Sequence, residues 1–445
     1  MTSAETICAI ATAPGGAIGI IRISGSQAFD IVNRIFSKEI SGVKPNTMHH
    51  GFIINGSETI DEVVISLFKA PKSYTGENIV EISCHGSRYI LNSILELLIQ
   101  QGARLAQPGE FTQRAYLNGK LDLSQAEAVA DLIASTNKAT HHLAMSQLKG
   151  HFSNQLALLR DQLLHLTTLL ELELDFSDHE ELEFANRDEL LNLAKGIERH
   201  MLRLAHSFET GQAIKQGIPV AIIGKTNVGK STLLNQLLKE ERAIVSDIHG
   251  TTRDTIEDTI DIKGITFRFI DTAGIRQTSD AIEQIGIERT FKTIERARIV
   301  LWLIDSHPSL EEIKEIHEVC KDKSLIIIQN KIDKCNTKAS SSFLQISAKY
   351  GTNLDLLETS IYQAANIPEI SENDVIVTSV RHYEALRHAL HNIQRVIDSL
   401  NQQLSGDLIA EDLRLVLSDL SDITGGAITP QETLNNIFSH FCIGK

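Results

Sequence analysis

Cysteine is sparse and scattered: Cys8, Cys84, Cys320, Cys335 and Cys442 include no C-x-x-C pair. That excludes a disulfide scaffold and a cysteine-built structural zinc, and leads us to expect a reduced, cytoplasmic protein. Proline is also scarce, at 8 residues, while 42% of the chain is hydrophobic, so a collagen-like or disordered chain is excluded. Positive charge is in deficit: 42 Lys and Arg against 57 Asp and Glu give a formal charge of −15. An acidic surface argues against a broad, non-specific grip on a phosphate backbone. No apolar run approaches the roughly 18 residues of a membrane span. Met1–Glu5 lacks a basic n-region, so no targeting segment is expected. Cys442-Ile443-Gly444-Lys445 has the outline of a prenylation box, but Gly444 is not aliphatic, Lys445 is not a usual last residue and no basic run precedes it.

What is present divides into regions of different texture. The 445 residues leave room for about three domains. Over 1–118, strand-like runs (Ala17–Ile23, Glu62–Phe68, Ile79–Ser83) alternate with helical ones (Ala28–Ile35, Arg88–Gln100). Beyond Leu121, leucines recur at helical spacing (Leu156, Leu159, Leu163, Leu166, Leu169, Leu170), as in long packed helices. The acidic break Asp175–Glu183 reads as a solvated loop or helix end rather than a metal site. From Pro219, short buried strands (Val220–Ile223, Thr266–Ile270, Ile299–Ile304, Leu325–Gln329) alternate with amphipathic helices, the rhythm of a mostly parallel sheet. Val380–Leu404 and Asp407–Leu420 are helical again. The expected fold is multidomain α/β: an N-terminal α+β domain (1–118), an all-α helical domain in two parts (119–214 and 369–445), and a P-loop α/β domain inserted at 215–368.

The strongest motif is Gly224-Lys225-Thr226-Asn227-Val228-Gly229-Lys230-Ser231, after a predicted strand and before the helical Thr232–Leu238. Its glycines let backbone N–H groups converge on phosphate, and the helix N-terminus adds a positive dipole. Lys230 is expected to reach the β/γ-phosphates and Ser231 to ligate Mg²⁺. Three more segments follow in the order a GTPase needs. Asp271-Thr272-Ala273-Gly274 ends a strand, placing Asp271 near the metal and the Gly274 amide near the γ-phosphate. Asn330-Lys331-Ile332-Asp333 supplies a carboxylate that accepts from both guanine N1–H and the exocyclic amine. Ser347-Ala348-Lys349 matches the loop that buttresses the base. Gly250-Thr251-Thr252-Arg253-Asp254 lies where a first switch segment belongs, with Thr252 as the second protein ligand of Mg²⁺. Together the motifs resemble the TRAFAC GTPases and point to GTP, not ATP. One departure matters: where a Ras-like enzyme has a water-orienting Gln, this chain has Ile275. Another group must therefore orient water, and another positive charge must meet the transition state. The Asn227 carboxamide offers a place for a monovalent cation beside the phosphates; a loop-stabilising amide is the alternative.

The chain resembles, end to end, the bacterial tRNA-modification GTPase family MnmE (TrmE). The resemblance is carried by Ile20-Ile21-Arg22-Ile23-Ser24-Gly25, Pro108-Gly109-Glu110-Phe111, Asn118-Gly119-Lys120-Leu121-Asp122-Leu123, the nucleotide motifs and Phe441-Cys442-Ile443-Gly444-Lys445. It implies a folate-binding, dimerising N-terminal domain and potassium-dependent GTP hydrolysis coupled to pairing of two G domains. By motif, Asn227, Thr251 and the Ser246 and Ile248 backbone would hold K⁺, and Ser231 and Thr252 would hold Mg²⁺. Thr232, Asp247, His249, Thr272 and Ala273 complete the nucleotide surroundings. Glu283 would align the attacking water and Arg276 would support its loop. Arg22, Glu81, Lys120 and Lys445 match a pocket for 5-formyltetrahydrofolate or a related reduced folate. For Cys442, a chemical role and a packed terminal thiol are both open. The implied reaction installs an aminomethyl or carboxymethylaminomethyl group at C5 of the tRNA wobble uridine, with an FAD-dependent partner of the MnmG (GidA) family. The acidic balance suggests that this partner supplies much of the basic surface for tRNA. The competing expectation is a GTPase switch of ribosome assembly without modification chemistry; a membrane-remodelling GTPase lacks an apolar or basic anchor.

Overall fold

The computed structural model describes residues 5–175, 187–241, 258–270, 291–334, 343–368, 371, 373–426, 434, 437–439, 441–442 and 444. The chain divides into two compact units, one of Met1–Ala134, Ala144–Leu202 and Glu384–Lys445, the other of Ser135–Leu143 and Arg203–Tyr383. The expected fold class is found: an α+β part, an all-α part and a doubly wound α/β sheet.

In the first unit, β1 (Ile7–Ile10), β2 (Ile18–Ser24), β3 (Thr47–Asn55), β4 (Glu58–Phe68), β5 (Ile79–His85) and β6 (Arg104–Leu105) form one sheet in the order β3-β4-β5-β2-β1-β6. Its pairs are antiparallel except β1 with β6. Strand alternation sends Ile21, Ile23, Val80, Ile82, Ile65 and Leu67 to one face, under α1 (Ala28–Asn33) and α2 (Arg88–Gln100). The register puts Arg22 opposite Glu81 on the other face. Strand β3 escapes a hydrophobic-pattern reading because its inward side carries Thr47, His49 and Gly51, with Ile53 its one large apolar residue. Gly51 stands there, where a Cβ would meet the Phe36 ring within about 2.7 Å.

A buried charge network joins this sheet to α3 (Glu110–Leu117). Arg114 binds Glu110 at 2.9 Å and Glu77 at 3.0 Å, and Arg104 binds Glu110 at 2.7 Å. Burial would raise the Glu110 carboxyl, but bonds from Arg104, the Gln107 amide and Arg114 outweigh it and hold it below the usual carboxylate range. A carboxyl depressed on folding stabilises fully above its unfolded value of about 4.3 and loses that stabilisation as pH falls through the folded value. Glu110→Ala is expected to cost about 1–3 kcal/mol, because Arg104 and Arg114 each lose a charge-assisted partner while Arg114 keeps Glu77. Hydrogen exchange of β1 and β2 should report the loss at pH 7, with the gap from wild type narrowing in acid.

The helical part runs through α4 (Leu123–Ala134), α5 (Lys138–Leu148), α6 (His151–Asp175), α7 (Arg187–Gln216), α11 (Val380–Asn401) and α12 (Gly406–Thr424). Leu156, Leu159, Leu163, Leu166 and Leu170 of α6 are buried as their spacing predicts, while Leu169 stays half-buried. Helix α12 packs along α6 and α4. Of the acidic stretch, Asp175 ends α6 and 176–183 lie outside the described residues.

In the second unit, β7 (Ile218–Ile223), β8 (Asp258–Ile262), β9 (Ile265–Phe269), β10 (Ile299–Ile304), β11 (Ser324–Gln329) and β12 (Leu344–Gln345) pair in the order β12-β11-β10-β7-β9-β8. All pairs are parallel except β8, which folds back on β9 as an edge hairpin. Val220, Ile222, Leu301 and Leu303 face one core, and Ala221, Ile223, Val300 and Trp302 the other. Both faces are therefore covered, which is why these strands are continuously apolar. Helices α8 (Lys230–Glu241), α9 (Leu310–Val319) and α10 (Leu354–Ala364) follow the strands.

Candidate functional site

Strand β7 ends at Ile223, and the chain turns through the Gly-rich loop into α8, whose first residue is Lys230. Two glycines make the turn possible. Gly224 (φ +144°) has the Leu303 carbonyl where a Cβ would go, and Gly229 (φ +105°) has the Asn330 amide there. Between them Asn227 takes φ +61°, and Val228 is buried beneath the loop. The Lys230 ammonium donates to the carbonyls of Gly224 (2.6 Å) and Lys225 (2.8 Å). Burial lowers its pKa from the usual lysine range. Ser231 and Thr232 occupy the first turn of α8, whose N–H groups and dipole favour an anion.

The base-reading motifs converge on this loop from β11 and β12. Asn330 is 3% exposed; its Nδ2 donates to the Val228 carbonyl at 2.8 Å and its Oδ1 accepts from the Ala348 amide at 3.0 Å. One carboxamide thus ties the P-loop to the Ser347-Ala348-Lys349 turn. Lys331 (φ +64°) donates to the Asn227 carbonyl at 2.7 Å and pairs with Asp305 at 3.1 Å. Asp333 is exposed in the short turn Ile332–Lys334, and its Oδ1 accepts from the buried Ser347 hydroxyl at 2.6 Å. That bond holds the Asp333 carboxyl below its ordinary range and orients the carboxylate, leaving acceptor capacity for a base. The Lys349 ammonium lies over the Tyr350 ring, 5.0 Å from its centroid.

The other nucleotide residues expected from sequence lie outside the described residues: Ser246, Asp247, Ile248, His249, Gly250, Thr251, Thr252, Asp271, Thr272, Ala273, Gly274, Arg276 and Glu283. Two braces on the P-loop were not foreseen. Asp305, after β10, anchors Lys331, and Glu312 binds Lys225 at 2.7 Å across an exposed surface. A sequence signal existed for the second: Ser309 and Glu312 form a capping box at the start of α9.

In the first unit, Arg22 and Glu81 meet as an ion pair. Arg22 Nε and Nη2 donate to one Glu81 oxygen at 2.9 and 2.8 Å, and Nη1 donates to the Gly444 carbonyl at 3.3 Å. The guanidinium sits 5.5 Å from the Tyr74 ring centroid and 5.7 Å from that of Phe111. Lys120 donates to the Pro71 carbonyl at 3.1 Å, on the loop that also carries Tyr74. Lys445 lies outside the described residues. The Cys442 thiol is free and exposed, so a packed terminal thiol is not what the fold makes of it. Among the described residues no His, Cys, Asp and Glu cluster is arranged to hold a metal, and no helix is long and apolar enough to cross a membrane.

Comparison with known proteins covers the whole chain. The family model described as GTP-binding protein TrmE N-terminus matches residues 6–120, and that described as MnmE helical domain matches 123–442. The protein of Phocaeicola vulgatus called tRNA modification GTPase MnmE is 55% identical, covering 100% of each chain. Its namesake in Bacteroides thetaiotaomicron is 55% identical over 99% of each. That of Flavobacterium johnsoniae is 49% identical over 100% of each.

Proposed function

The chain belongs to the MnmE family of tRNA modification GTPases, and on that footing we propose that it works as a potassium-dependent homodimer with an FAD-dependent partner of the MnmG (GidA) family. The pair would install an aminomethyl or carboxymethylaminomethyl group at C5 of the tRNA wobble uridine, taking the one-carbon unit from a reduced folate. GTP hydrolysis in tRNA modification is the activity of the family. The observation that carries the nucleotide half is the Asn330 tie, which holds the phosphate loop and the base loops in one arrangement.

Within that frame the residues divide the work. Asp333, oriented by the Ser347 hydroxyl, selects guanine. The Lys230 ammonium, placed at the loop by two of its carbonyls, meets the β/γ-phosphates. The Ser231 hydroxyl is a hard oxygen donor of the kind Mg²⁺ takes, with Thr252 as its companion. The Asn227 carboxamide, exposed on a backbone pinned by Lys331, suits a weakly held monovalent cation, with Thr251 and the Ser246 and Ile248 carbonyls around it. Such ions, when bound, offset negative charge on the transferring phosphoryl group. Glu283, supported by Arg276, aligns the water that Ile275 cannot. In the first unit Arg22 and Glu81, 19% and 25% exposed, offer a donor plane and a carboxylate suited to a folate's carboxylate and pterin edge. Lys120 and Lys445 add cationic charge, and Cys442 presents an accessible thiol. A ribosome-assembly switch is disfavoured because the likeness to MnmE includes the N-terminal part that such switches lack. Nucleoside mass spectrometry of tRNA from a deletion strain is expected to show the C5-substituted wobble uridines missing and restored by this chain; an unchanged nucleoside profile would overturn the reading.

A further inference from the structure

Ser135–Leu143 belongs to the nucleotide unit, although α6 and α7 separate it from β7 in sequence. Its docking point is the β8–β9 hairpin. Asn137 does two things with one side chain: its Oδ1 accepts from the Thr140 amide at 2.8 Å, capping α5, and its Nδ2 donates to the Thr266 hydroxyl of β9 at 2.7 Å. Next along, the Ala139 amide donates to the Gly264 carbonyl at 3.0 Å. Gly264 (φ +83°) is the hairpin turn, and a Cβ there would stand 2.9 Å from the Lys138 Cβ. Ala139 and Leu143 are buried in the same core as Ile260, Ile262, Ile265 and Phe267. The first turns of α5 are thus built into the hairpin by two hydrogen bonds, a close backbone approach and apolar burial.

The hairpin's place in the sequence gives this contact its meaning. Gly250-Thr251-Thr252-Arg253-Asp254 ends shortly before β8, and Asp271-Thr272-Ala273-Gly274 begins two residues after the end of β9. Both segments expected to respond to the γ-phosphate are therefore continuous with the element that Asn137 holds. Helix α5 then continues from Leu143 in this unit to Leu148 in the other.

We infer that Asn137 is a positioning residue of the GTPase cycle: through Thr266 it fixes the hairpin between the two nucleotide-responsive segments to the start of α5, so that the nucleotide state reaches the helices. The coupling is a binding free energy and so runs both ways. Asn137 touches none of the P-loop or base-reading residues described above, so hydrolysis itself does not need it.

Two substitutions remove the one bond from opposite sides. Asn137→Ser keeps a hydroxyl N-cap but is too short to reach Thr266. Thr266→Val deletes the acceptor and keeps the shape. Purified full-length variants would be assayed for GTP turnover. The same variants, expressed in a deletion strain, would be scored for the tRNA modification lost on deletion. We expect turnover within about twofold of wild type and modification reduced roughly three- to tenfold, the scale of one neutral hydrogen bond. The double variant should be no worse than either single one. Thermal midpoints identify a variant that has simply lost its fold; the other then decides. Unchanged modification, turnover and modification falling in parallel, or additive effects in the double variant would each overturn the assignment.

Discussion

Asp333→Asn is expected to lower turnover at limiting GTP by about 10⁴–10⁵-fold and to create turnover of xanthosine triphosphate. The wild-type carboxylate has only acceptors to offer. One of them is satisfied by the Ser347 hydroxyl at 2.6 Å, which also orients the carboxylate. Guanine presents N1–H and an amine side by side, so both of its donors find acceptors. An asparagine amide turns one acceptor into a donor, which then faces the guanine amine. A donor facing a donor loses the bond that the carboxylate made there. Xanthine carries a carbonyl where guanine has the amine, so the same amide now finds a partner. The P-loop is untouched, because its ties run through Asn330 and Lys331. The measurement is turnover with each nucleotide at concentrations far below saturation. Retention of GTP use within tenfold would mean that Asp333 does not read the base.

How much of this was legible in the sequence follows from what each element must satisfy. The strands β7, β10 and β11 announce themselves because both of their faces are buried, which forces a continuous apolar run. The P-loop is legible because backbone geometry and phosphate chemistry restrict it to glycine at Gly224 and Gly229. Arg22 and Glu81 were named through family likeness; the structure adds the register that makes them cross-strand neighbours. Strand β8 was missed because an edge strand buries only alternate residues, Ile260 and Ile262, and leaves Thr259 and Asp261 exposed. Asp305 was missed because a lone carboxylate after a strand carries no pattern; its meaning comes from Lys331, brought to it by the fold. The same holds for Asn137, whose partner Thr266 is remote in sequence and adjacent only after α5 docks on the hairpin.

Replacing K⁺ with Na⁺ is expected to reduce GTP turnover by on the order of 10³-fold, the low end of what a cationic group at the transition state contributes, with GTP affinity little changed. Two departures at the site set this expectation. Ile275 brings no polar group to the water, and the P-loop carries Asn227 in a left-handed conformation with its side chain exposed. Lys331 fixes the Asn227 backbone by its carbonyl, leaving the carboxamide as the adjustable donor at that edge of the loop. A neutral amide oxygen binds a monovalent ion only when neighbouring oxygens complete its shell, and ion size then decides whether those distances can be met. Asn227→Ala removes one donor while the Lys331 bond to the backbone stays. If the carboxamide is that ligand, the variant in K⁺ should fall to the wild-type rate in Na⁺ and should respond no further to exchanging the ions. A variant that is slower in both salts, yet still stimulated by K⁺ as strongly as wild type, would place the ion elsewhere and leave Asn227 as a loop-shaping residue.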